Sequence, residues 1–195
     1  MAILPIYTYE QPVLRKKAKP VRAEAVDREQ LRNLVRDMFE TMHNANGIGL
    51  AANQVGSLHR VVVIDVSEME ETKGMAPFTL LNPVVVSEEG ATTVEEGCLS
   101  IPDIREDVER PERVLIRFKD PDFSEREIEC DGILARVLQH EIDHLNGVLF
   151  IDRISAEARK LLRGRLNKIQ RGEVEVTYPI VGVAPAAIPE KVAVK

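Results

Sequence analysis

The feature that most constrains this chain is the sequence QHEIDH at residues 139–144. Its two histidines, His140 and His144, are four residues apart, and Glu141 directly follows the first. On a helix this spacing places both imidazoles on one face, where they can bind a single metal ion while the carboxylate reaches a metal-bound water. The same short pattern also arises by chance in unrelated chains. It therefore needs support from the rest of the sequence.

The motif lies within an amphipathic helix that the sequence predicts over residues 131–147. Asp131 is a suitable N-cap, and Asn146-Gly147 is a natural stop. Apolar residues recur at helical spacing between these ends, namely Ile133, Leu134, Val137, Leu138 and Leu145. The histidine pair is therefore predicted to lie on a helix that packs against a core.

Two histidines do not complete a metal site, so a third ligand is needed. The position that carries a third histidine in one group of zinc proteases is occupied by Phe150, which has no lone pair to donate. Glu157, the one acid within residues 153–172, fits a glutamate ligand poorly. Cys98 offers a thiolate, a strong ligand for transition metals. From the residues alone a buried structural thiol is the favoured alternative, while a disulfide with Cys130 is disfavoured by the low cysteine count and the lack of extracellular signals.

Three separate segments together resemble a known family. They are GIGLAANQVG at residues 47–56, EGCLS at residues 96–100 and the QHEIDH segment. In this order and with these separations they resemble the three signature motifs of the peptide deformylases, and the likeness extends from residue 3 to about residue 171. The glycines of the first segment do not suit a dinucleotide-binding turn, because they follow a predicted helix and such a turn must follow a strand.

The resemblance implies a metal centre with one divalent ion. Cys98, His140 and His144 would bind it, and the family uses ferrous iron, although these donors also suit zinc, nickel or cobalt. Hydroxide at the metal would attack a formyl carbon, with Glu141 acting first as general base and then as general acid. Because a thiolate beside ferrous iron is prone to oxidation, we expect activity to be lost in air and kept under anaerobic, reducing conditions.

The resemblance also implies a substrate, the N-formylmethionyl end of a newly made polypeptide, from which formate is released. The side-chain amide of Gln54 and the backbone N–H of Leu99 would donate hydrogen bonds to the formyl oxygen. Ile48 and Gly49 would line the path of the peptide, with Arg105 as a further contact. A methionine pocket should be apolar, and four residues near the motifs could line it, namely Ile48, Val94, Ile133 and Val137.

Hydrophobic periodicity outside the motifs predicts an α+β fold, with antiparallel or mixed sheets around the metal-binding helix. One flanking helix is predicted over residues 27–43, with Asp27 and Gln30 forming a capping-box-like start, and another over residues 155–170. Strands are predicted at residues 60–66, 78–87, 113–118 and 125–130.

We expect one catalytic domain over residues 1–171 and a C-terminal extension over residues 172–195. Alternating apolar residues at 174–181 could add a strand to the extension, with a flexible tail beyond Pro185. If that strand paired with a neighbouring subunit, the protein would be a dimer. The sequence leaves the oligomeric state open.

Charge is unevenly spread along the chain. Residues 153–172 carry seven basic residues and one acid, a net charge of +6, which leaves −12 for the rest of a chain whose total is −6. The helix predicted over residues 155–170 is either a solvated surface or a docking surface for ribosomal RNA that brings the enzyme to nascent chains.

Arg136, on the predicted metal-binding helix, could sit at the mouth of the methionine pocket, although a position on a solvated helix surface is slightly favoured.

No stretch is long and apolar enough to span a membrane, so we expect a cytoplasmic protein without a membrane partner.

Two other functional classes remain open. A zinc endopeptidase would share the histidine motif but needs a different third ligand, so Cys98→Ser would leave its metal binding nearly unchanged. A structural metal protein needs a closed site with a fourth ligand, for which His43 and His59 lack the spacing.

Overall fold

The computed structural model describes residues 2–182, and this part of the chain contains three α-helices and nine β-strands. The helices are α1 (Arg28–Asn44), α2 (Gly132–Leu145) and α3 (Ala156–Gln170). The strands are β1 (Ile6–Tyr7), β2 (Gly49–Ala51), β3 (Val61–Ile64), β4 (Phe78–Glu89), β5 (Thr92–Cys98), β6 (Ile101–Arg110), β7 (Arg113–Lys119), β8 (Glu125–Cys130) and β9 (Ile180–Val181). Among these residues, no helix is both long and apolar enough to cross a membrane.

The predicted α+β class with antiparallel and mixed sheets is confirmed. Five strands form one antiparallel sheet in the order β2-β3-β4-β7-β8, and β5 pairs with β6 in a separate antiparallel hairpin. β1 and β9 pair in parallel. Successive residues of a strand point to opposite faces, so Val62 and Ile64 of β3 pack with α2, while Val61 and Val63 pack with α1. The part of the sheet formed by β2 and β3 therefore lies between α1 and α2.

Helix α1 begins where the sequence predicts. The Asp27 carboxylate accepts hydrogen bonds from the backbone N–H groups of Glu29 at 2.9 Å and Gln30 at 3.1 Å, which satisfies two of the free donors at a helix start. The helix buries Leu31, Met38 and Met42 against the sheet. Residue 27 is thus the N-cap, and the apolar face is the predicted one.

Helix α2 is the most buried of the three helices, with twelve of its fourteen residues inside the protein. Its predicted position is confirmed, and Asp131 is the N-cap residue as predicted, but the exposed Asp131 side chain makes no capping hydrogen bond. The carboxylate of Glu71 instead accepts from the Ile133 N–H at 3.1 Å. Gly132 has a φ of +55°, and a Cβ there would lie 2.7 Å from the Glu71 carboxylate. Glycine at position 132 therefore leaves space for Glu71, a residue of another segment, to cap the helix.

The four predicted strands are present as β3, β4, β7 and β8, but the β5–β6 hairpin was not predicted. In β6 the apolar residues Ile101, Ile104 and Val108 are three and four residues apart, which is a helical spacing, and Pro102 interrupts the run. The strand also buries a charged residue, Arg110. Tertiary pairing with β5 therefore overrides the local pattern.

The end of the chain folds back on its beginning. Helix α3 starts after Ser155, whose hydroxyl accepts from the Ala158 N–H at 3.1 Å. In the extension, the predicted strand is limited to Ile180–Val181, and it pairs in parallel with β1 of the same chain. The predicted tail beyond Pro185 lies outside the described residues. The domain boundary at residue 171 stays a prediction.

Candidate active site

A cleft of about 610 Å³ opens beside α2. It is lined by residues from all three segments that carry the family resemblance, together with residues 101–105 of the β5–β6 hairpin and residues 175–178 of the C-terminal extension. Segments that are far apart in the sequence therefore meet at one surface.

Three side chains that could together hold a metal ion meet in this region. Cys98, at the end of β5, and His140 and His144, on α2, have ligand atoms that all lie within 4.8 Å of one another. The Cys98 Sγ lies 3.1 Å from the His144 Nε2. Over residues 2–182 the cluster contains these three members, which suits an ion with an open coordination position better than a closed four-ligand site. The fold thus brings together the ligand set that the sequence predicts.

A buried carboxylate orients one of the histidines. Glu96 Oε2 lies 2.9 Å from the His140 Nδ1, which leaves Nε2 free to bind a metal. Glu96 also accepts hydrogen bonds from Arg110 at 2.6 and 2.9 Å and from Arg136 at 3.0 Å. Burial alone would raise the pKa of Glu96, but the hydrogen bonds from His140 and Arg110 outweigh it and lower the pKa to about 2. The carboxylate is therefore charged at neutral pH.

The role of Glu96 was not predicted, and of the two alternatives for Arg136 the slightly favoured one, a solvated helix surface, was wrong. Arg136 is buried rather than solvated, and it donates to Glu96 and to the backbone carbonyls of Thr92 and Val108, while also lining the cleft. A carboxylate partner such as Glu96 could have been expected from the sequence, since a metal-binding histidine almost always donates its second ring N–H to a carboxylate, a carbonyl or water. The burial of Arg136 depends on the β5–β6 hairpin, which was not predicted.

Glu141 lies in the cleft and is buried. Nothing within the described residues hydrogen bonds to its Oε2. Burial is the main cause that raises its pKa to about 7, opposed by the nearby His140 and Arg110. A Cβ at position 49 would lie 2.8 Å from the Glu141 Oε1, so Gly49 allows β2 to approach this carboxylate closely. The geometry leaves one carboxylate oxygen available for proton transfer.

Gln54 and Leu99 stand beside the metal-binding cluster. The Gln54 Oε1 accepts from the Ala51 N–H at 2.8 Å, which fixes the amide so that its Nε2 lies 3.2 Å from Ser100 Oγ and 3.7 Å from Cys98 Sγ. Leu99 lines the cleft in the turn between β5 and β6. Both predicted donors therefore lie next to the candidate metal position.

Three of the four residues predicted to line a methionine pocket lie in the cleft. Ile48, Ile133 and Val137 line the cleft, but Val94 does not, because its side chain is 43% exposed on the surface of β5. The cleft lining begins one residue later on this strand, at Glu95. Arg105 lies at the cleft, where it is exposed and donates to Glu95 at 2.7 Å.

The alternative ligands do not belong to the cluster. Phe150 is buried and stacks on the His140 ring, with 6.2 Å between ring centroids. Glu157 is exposed in the first turn of α3. Neither Cys98 nor Cys130 forms a disulfide, and burial raises the pKa of the Cys130 thiol to about 11, so it is unreactive at neutral pH.

The sequence and the fold both match known proteins. The polypeptide deformylase family model matches residues 3–160. The chain is 46% identical over 197 residues to a peptide deformylase of Salinibacter ruber, covering 97% of this chain and 100% of that protein. A peptide deformylase of Chlorobaculum parvum is 45% identical over 183 residues, covering 94% and 96%.

Two solved structures give the same answer. A peptide deformylase from Legionella pneumophila superposes with a TM-score of 0.78 at 41% identity, covering 88% of this chain and 98% of that chain. A peptide deformylase from Synechococcus elongatus, solved in complex with actinonin, has a TM-score of 0.74 at 39% identity, covering 91% and 92%. From its sequence, its fold and its cluster of metal-binding side chains, this chain belongs to the polypeptide deformylase family of hydrolases.

Proposed function

We propose that this protein removes the formyl group from the N-terminal formylmethionine of newly synthesised polypeptides, with Glu141 moving the proton. Water adds to the formyl carbon, the C–N bond breaks, and formate and a free α-amine leave. One observation carries the proposal. The ligand atoms of Cys98, His140 and His144 lie within 4.8 Å of one another, and Cys98 and His140 line the same cleft as Glu141, whose Oε2 has no hydrogen-bond partner within residues 2–182.

The donor set fits a divalent transition metal. Thiolate and imidazole suit such ions, and Glu96, beside the His140 Nδ1, leaves the Nε2 of that ring free to bind a metal. When bound by these residues, the ion supplies Lewis-acid chemistry, lowering the pKa of water and polarising the formyl oxygen. On family resemblance we propose ferrous iron, while zinc, nickel and cobalt suit the same donors.

Glu141 is the proposed proton carrier. Its Oε2 takes a proton from the attacking water and then gives that proton to the nitrogen of the leaving amine, so the carboxylate ends in its starting state. With a pKa raised to about 7 by burial, the group exchanges a proton readily near neutral pH. General acid–base catalysis of this kind contributes roughly 10²–10⁴-fold to a rate.

Gln54 and Leu99 are proposed to stabilise the charge that collects on the formyl oxygen. The Gln54 Nε2 and the Leu99 backbone N–H donate to this oxygen, and the fixed orientation of Gln54 means that little reorganisation is needed. Removal of one such donor costs about 10²–10³ in kcat. We therefore expect Gln54→Leu to lower kcat by that factor with the fold intact, as measured by formate release and far-UV circular dichroism.

The apolar part of the cleft is proposed to hold the methionine side chain. Ile48, Ile133 and Val137 supply this surface. The peptide backbone follows Ile48 and Gly49, with Arg105 as a contact at the rim. Position 49 also requires glycine, because a side chain there would displace Glu141 or Val137, each of which has an atom 2.8 Å from the position of a Cβ.

The first experiment measures anaerobic release of formate from formyl-Met-Ala-Ser by protein loaded with ferrous iron. We expect Glu141→Gln to lower kcat by about 10²–10⁴ while the bound metal, measured by elemental analysis, is unchanged. The matched control is Glu68→Gln, which removes the charge of an exposed glutamate outside the cleft. Wild-type protein that binds metal but releases no formate would refute the proposed reaction.

Two further measurements test the metal centre. Cys98→Ser should lower metal affinity strongly, whereas unchanged affinity would favour a peptidase with another third ligand. Iron-loaded protein should lose activity in air and keep it anaerobically, because a thiolate beside ferrous iron is readily oxidised. Equal activity in both atmospheres would count against iron.

We also propose that α3 docks on the ribosome in the cytoplasm, where formylated chains are made. Lys160, Arg163 and Lys168 are exposed on this helix, and none forms an ion pair within residues 2–182. Free positive charges of this kind attract RNA phosphates.

Charge reversal of these three residues to glutamate should weaken ribosome co-sedimentation and leave hydrolysis of formyl-Met-Ala-Ser unchanged. The control reverses three exposed basic residues on another surface, Lys17, Arg22 and Arg32, for the same change in net charge. Equal loss of binding in both triple variants would show that net charge alone is sensed. Retained binding in the α3 variant would end the docking proposal.

A further inference from the structure

The C-terminal extension forms part of the cleft, although it lies beyond the residues that the family model matches. Residues 175–178 line the same cavity as α2 and β2. The segment is anchored on both sides of this stretch. Upstream, the Glu173 N–H donates to the Lys168 carbonyl at 2.9 Å, and downstream the Ile6 N–H donates to the Pro179 carbonyl at 2.9 Å, next to the β1–β9 pairing. The extension is thus held at a fixed place beside the site.

One side chain of the extension reaches the turn that carries a proposed catalytic donor. The hydroxyl of Tyr178 donates to the backbone carbonyl of Leu99 at 2.9 Å. The Tyr178 ring and the Leu99 side chain pack against the same hydrophobic cluster, so the contact is both polar and apolar. Tyr178 is therefore connected to the reacting region through Leu99.

The turn over residues 98–100 is held from several directions. The Ser100 carbonyl accepts from the Tyr9 N–H at 2.8 Å, and the Ser100 hydroxyl accepts from Gln54 at 3.2 Å. Tyr178 holds the remaining part, the Leu99 carbonyl. The N–H and the C=O of one residue flank the same Cα, so holding the carbonyl limits rotation about Leu99 and thereby the direction of its N–H.

We propose that Tyr178 is a positioning residue for deformylation. Its hydroxyl holds the turn so that the Leu99 N–H points at the formyl oxygen, and the C-terminal extension thereby takes part in catalysis without touching the reacting atoms. The proposal rests on the proposed function, because the role of Leu99 belongs to it.

The test compares Tyr178→Phe with Tyr7→Phe in the iron-loaded enzyme. Both variants lose one tyrosine hydroxyl and keep the ring, but Tyr7 lies outside the cleft lining. A donor that acts on charge developing in the transition state changes kcat rather than substrate binding. We expect Tyr178→Phe to lower kcat roughly 3- to 10-fold, the effect of one hydrogen bond, with KM unchanged. Formyl-Met-amide and formyl-Met-Ala-Ser should show the same loss, and Tyr7→Phe should equal wild type.

A second readout does not depend on activity. Hydrogen–deuterium exchange of a peptide spanning residues 96–100, followed by mass spectrometry, should be faster in Tyr178→Phe than in the Tyr7→Phe control. Unchanged exchange would overturn the anchoring, and faster exchange with unchanged kcat would overturn the catalytic role. A rise in KM on the longer substrate alone would make Tyr178 a peptide contact instead.

The outcomes separate this inference from the proposed function. If wild-type enzyme releases formate and Tyr178→Phe equals it, only the inference fails. If wild-type enzyme releases none, the proposed function fails and the catalytic role of Tyr178 fails with it.

Discussion

Helices α2 and α3 differ in the burial of their charged side chains. In α2, Arg136, Glu141 and Asp143 are buried among apolar neighbours, whereas α3 buries only Leu162, Leu166 and Ile169 and exposes its charged side chains. Charge inside the protein is costly unless it is paired, so its presence in α2 indicates a specific use. Charge on α3 carries no such cost and is available to solvent or to a partner.

The buried charges beside α2 form one connected network. Arg110 of β6 donates to Glu96 and also to Asp143 at 2.7 Å, and Arg153 donates to Asp143 at 2.6 Å. Burial alone would lower the pKa of Arg110, but these carboxylates outweigh it and raise the pKa. Through Glu96 the same network reaches His140, so the ion pairs that join β5, β6 and α2 also fix the ring of a candidate metal ligand.

Breaking this network should have the largest effect on stability. Arg110→Met keeps most of the side-chain volume but leaves Glu96 and Asp143 without their shared partner, and we expect unfolding free energy to fall by about 3–5 kcal/mol. Arg163→Met on α3 is the control, with an expected change within about 0.5 kcal/mol. Urea denaturation measures both. Equal, small changes would show that the buried charges are not stabilised by pairing.

Truncation of the apolar face of α3 should rank next. Leu162 is 4% exposed and its neighbour Leu161 is 85% exposed, so the two make a matched pair on one helix. Leu162→Ala should cost about 2–5 kcal/mol through lost burial and a cavity, and Leu161→Ala less than about 0.5 kcal/mol. Thermal and urea unfolding of the two variants would reveal whether α3 is held by this face. Similar losses in both would contradict that.

A partly exposed ion pair at the start of α3 should contribute less. Asp152 accepts from Arg15 and lies 3.2 Å from Arg159. Burial alone would raise the pKa of Asp152, but the hydrogen bonds from Arg15 and the Leu149 N–H lower it below 3.8. A depressed folded-state pKa means that the stabilisation is present above pH 3.8 and is lost as the pH falls through the lower folded value.

Asp152→Asn should therefore cost roughly 1 kcal/mol at pH 7. The difference from wild type should shrink as the pH falls below 3.8, because the wild-type carboxyl then becomes protonated. Urea denaturation from pH 7 to pH 2.5 measures it. A difference that stays constant over this range would mean that the hydrogen-bonding shape of the side chain matters and its charge does not.

The smallest effect is expected for the exposed charges of α3. Replacing Lys160, Arg163 and Lys168 together by glutamine should change the unfolding free energy by no more than about 1 kcal/mol, since each is solvated and unpaired within the described chain. Differential scanning calorimetry would detect a larger loss. Such a loss would show that the exposed charges of α3 stabilise the fold, as the buried charges of α2 are expected to do.

The elements that local pattern could predict are those with one clear period. Helices α1 and α2 and the strands β3, β7 and β8 have regular spacing of apolar residues, and each was placed within a few residues. The hairpin β5–β6 was missed because its apolar residues follow no strand period and because Pro102 lies within β6. Its stability comes from partners on α2, which are distant in the sequence.

The sequence by itself determined which donor side chains are present. The spacing of His140 and His144, the glutamate between them and the thiol at Cys98 specify a set of donors, and such a set is a property of residue types and order. The tertiary structure decided what surrounds these donors. It buried Arg136, paired Glu96 with His140, placed Glu71 on the start of α2 and brought Tyr178 to Leu99. These contacts join segments that are distant in the chain, and their energy comes from burial and pairing that no local pattern records.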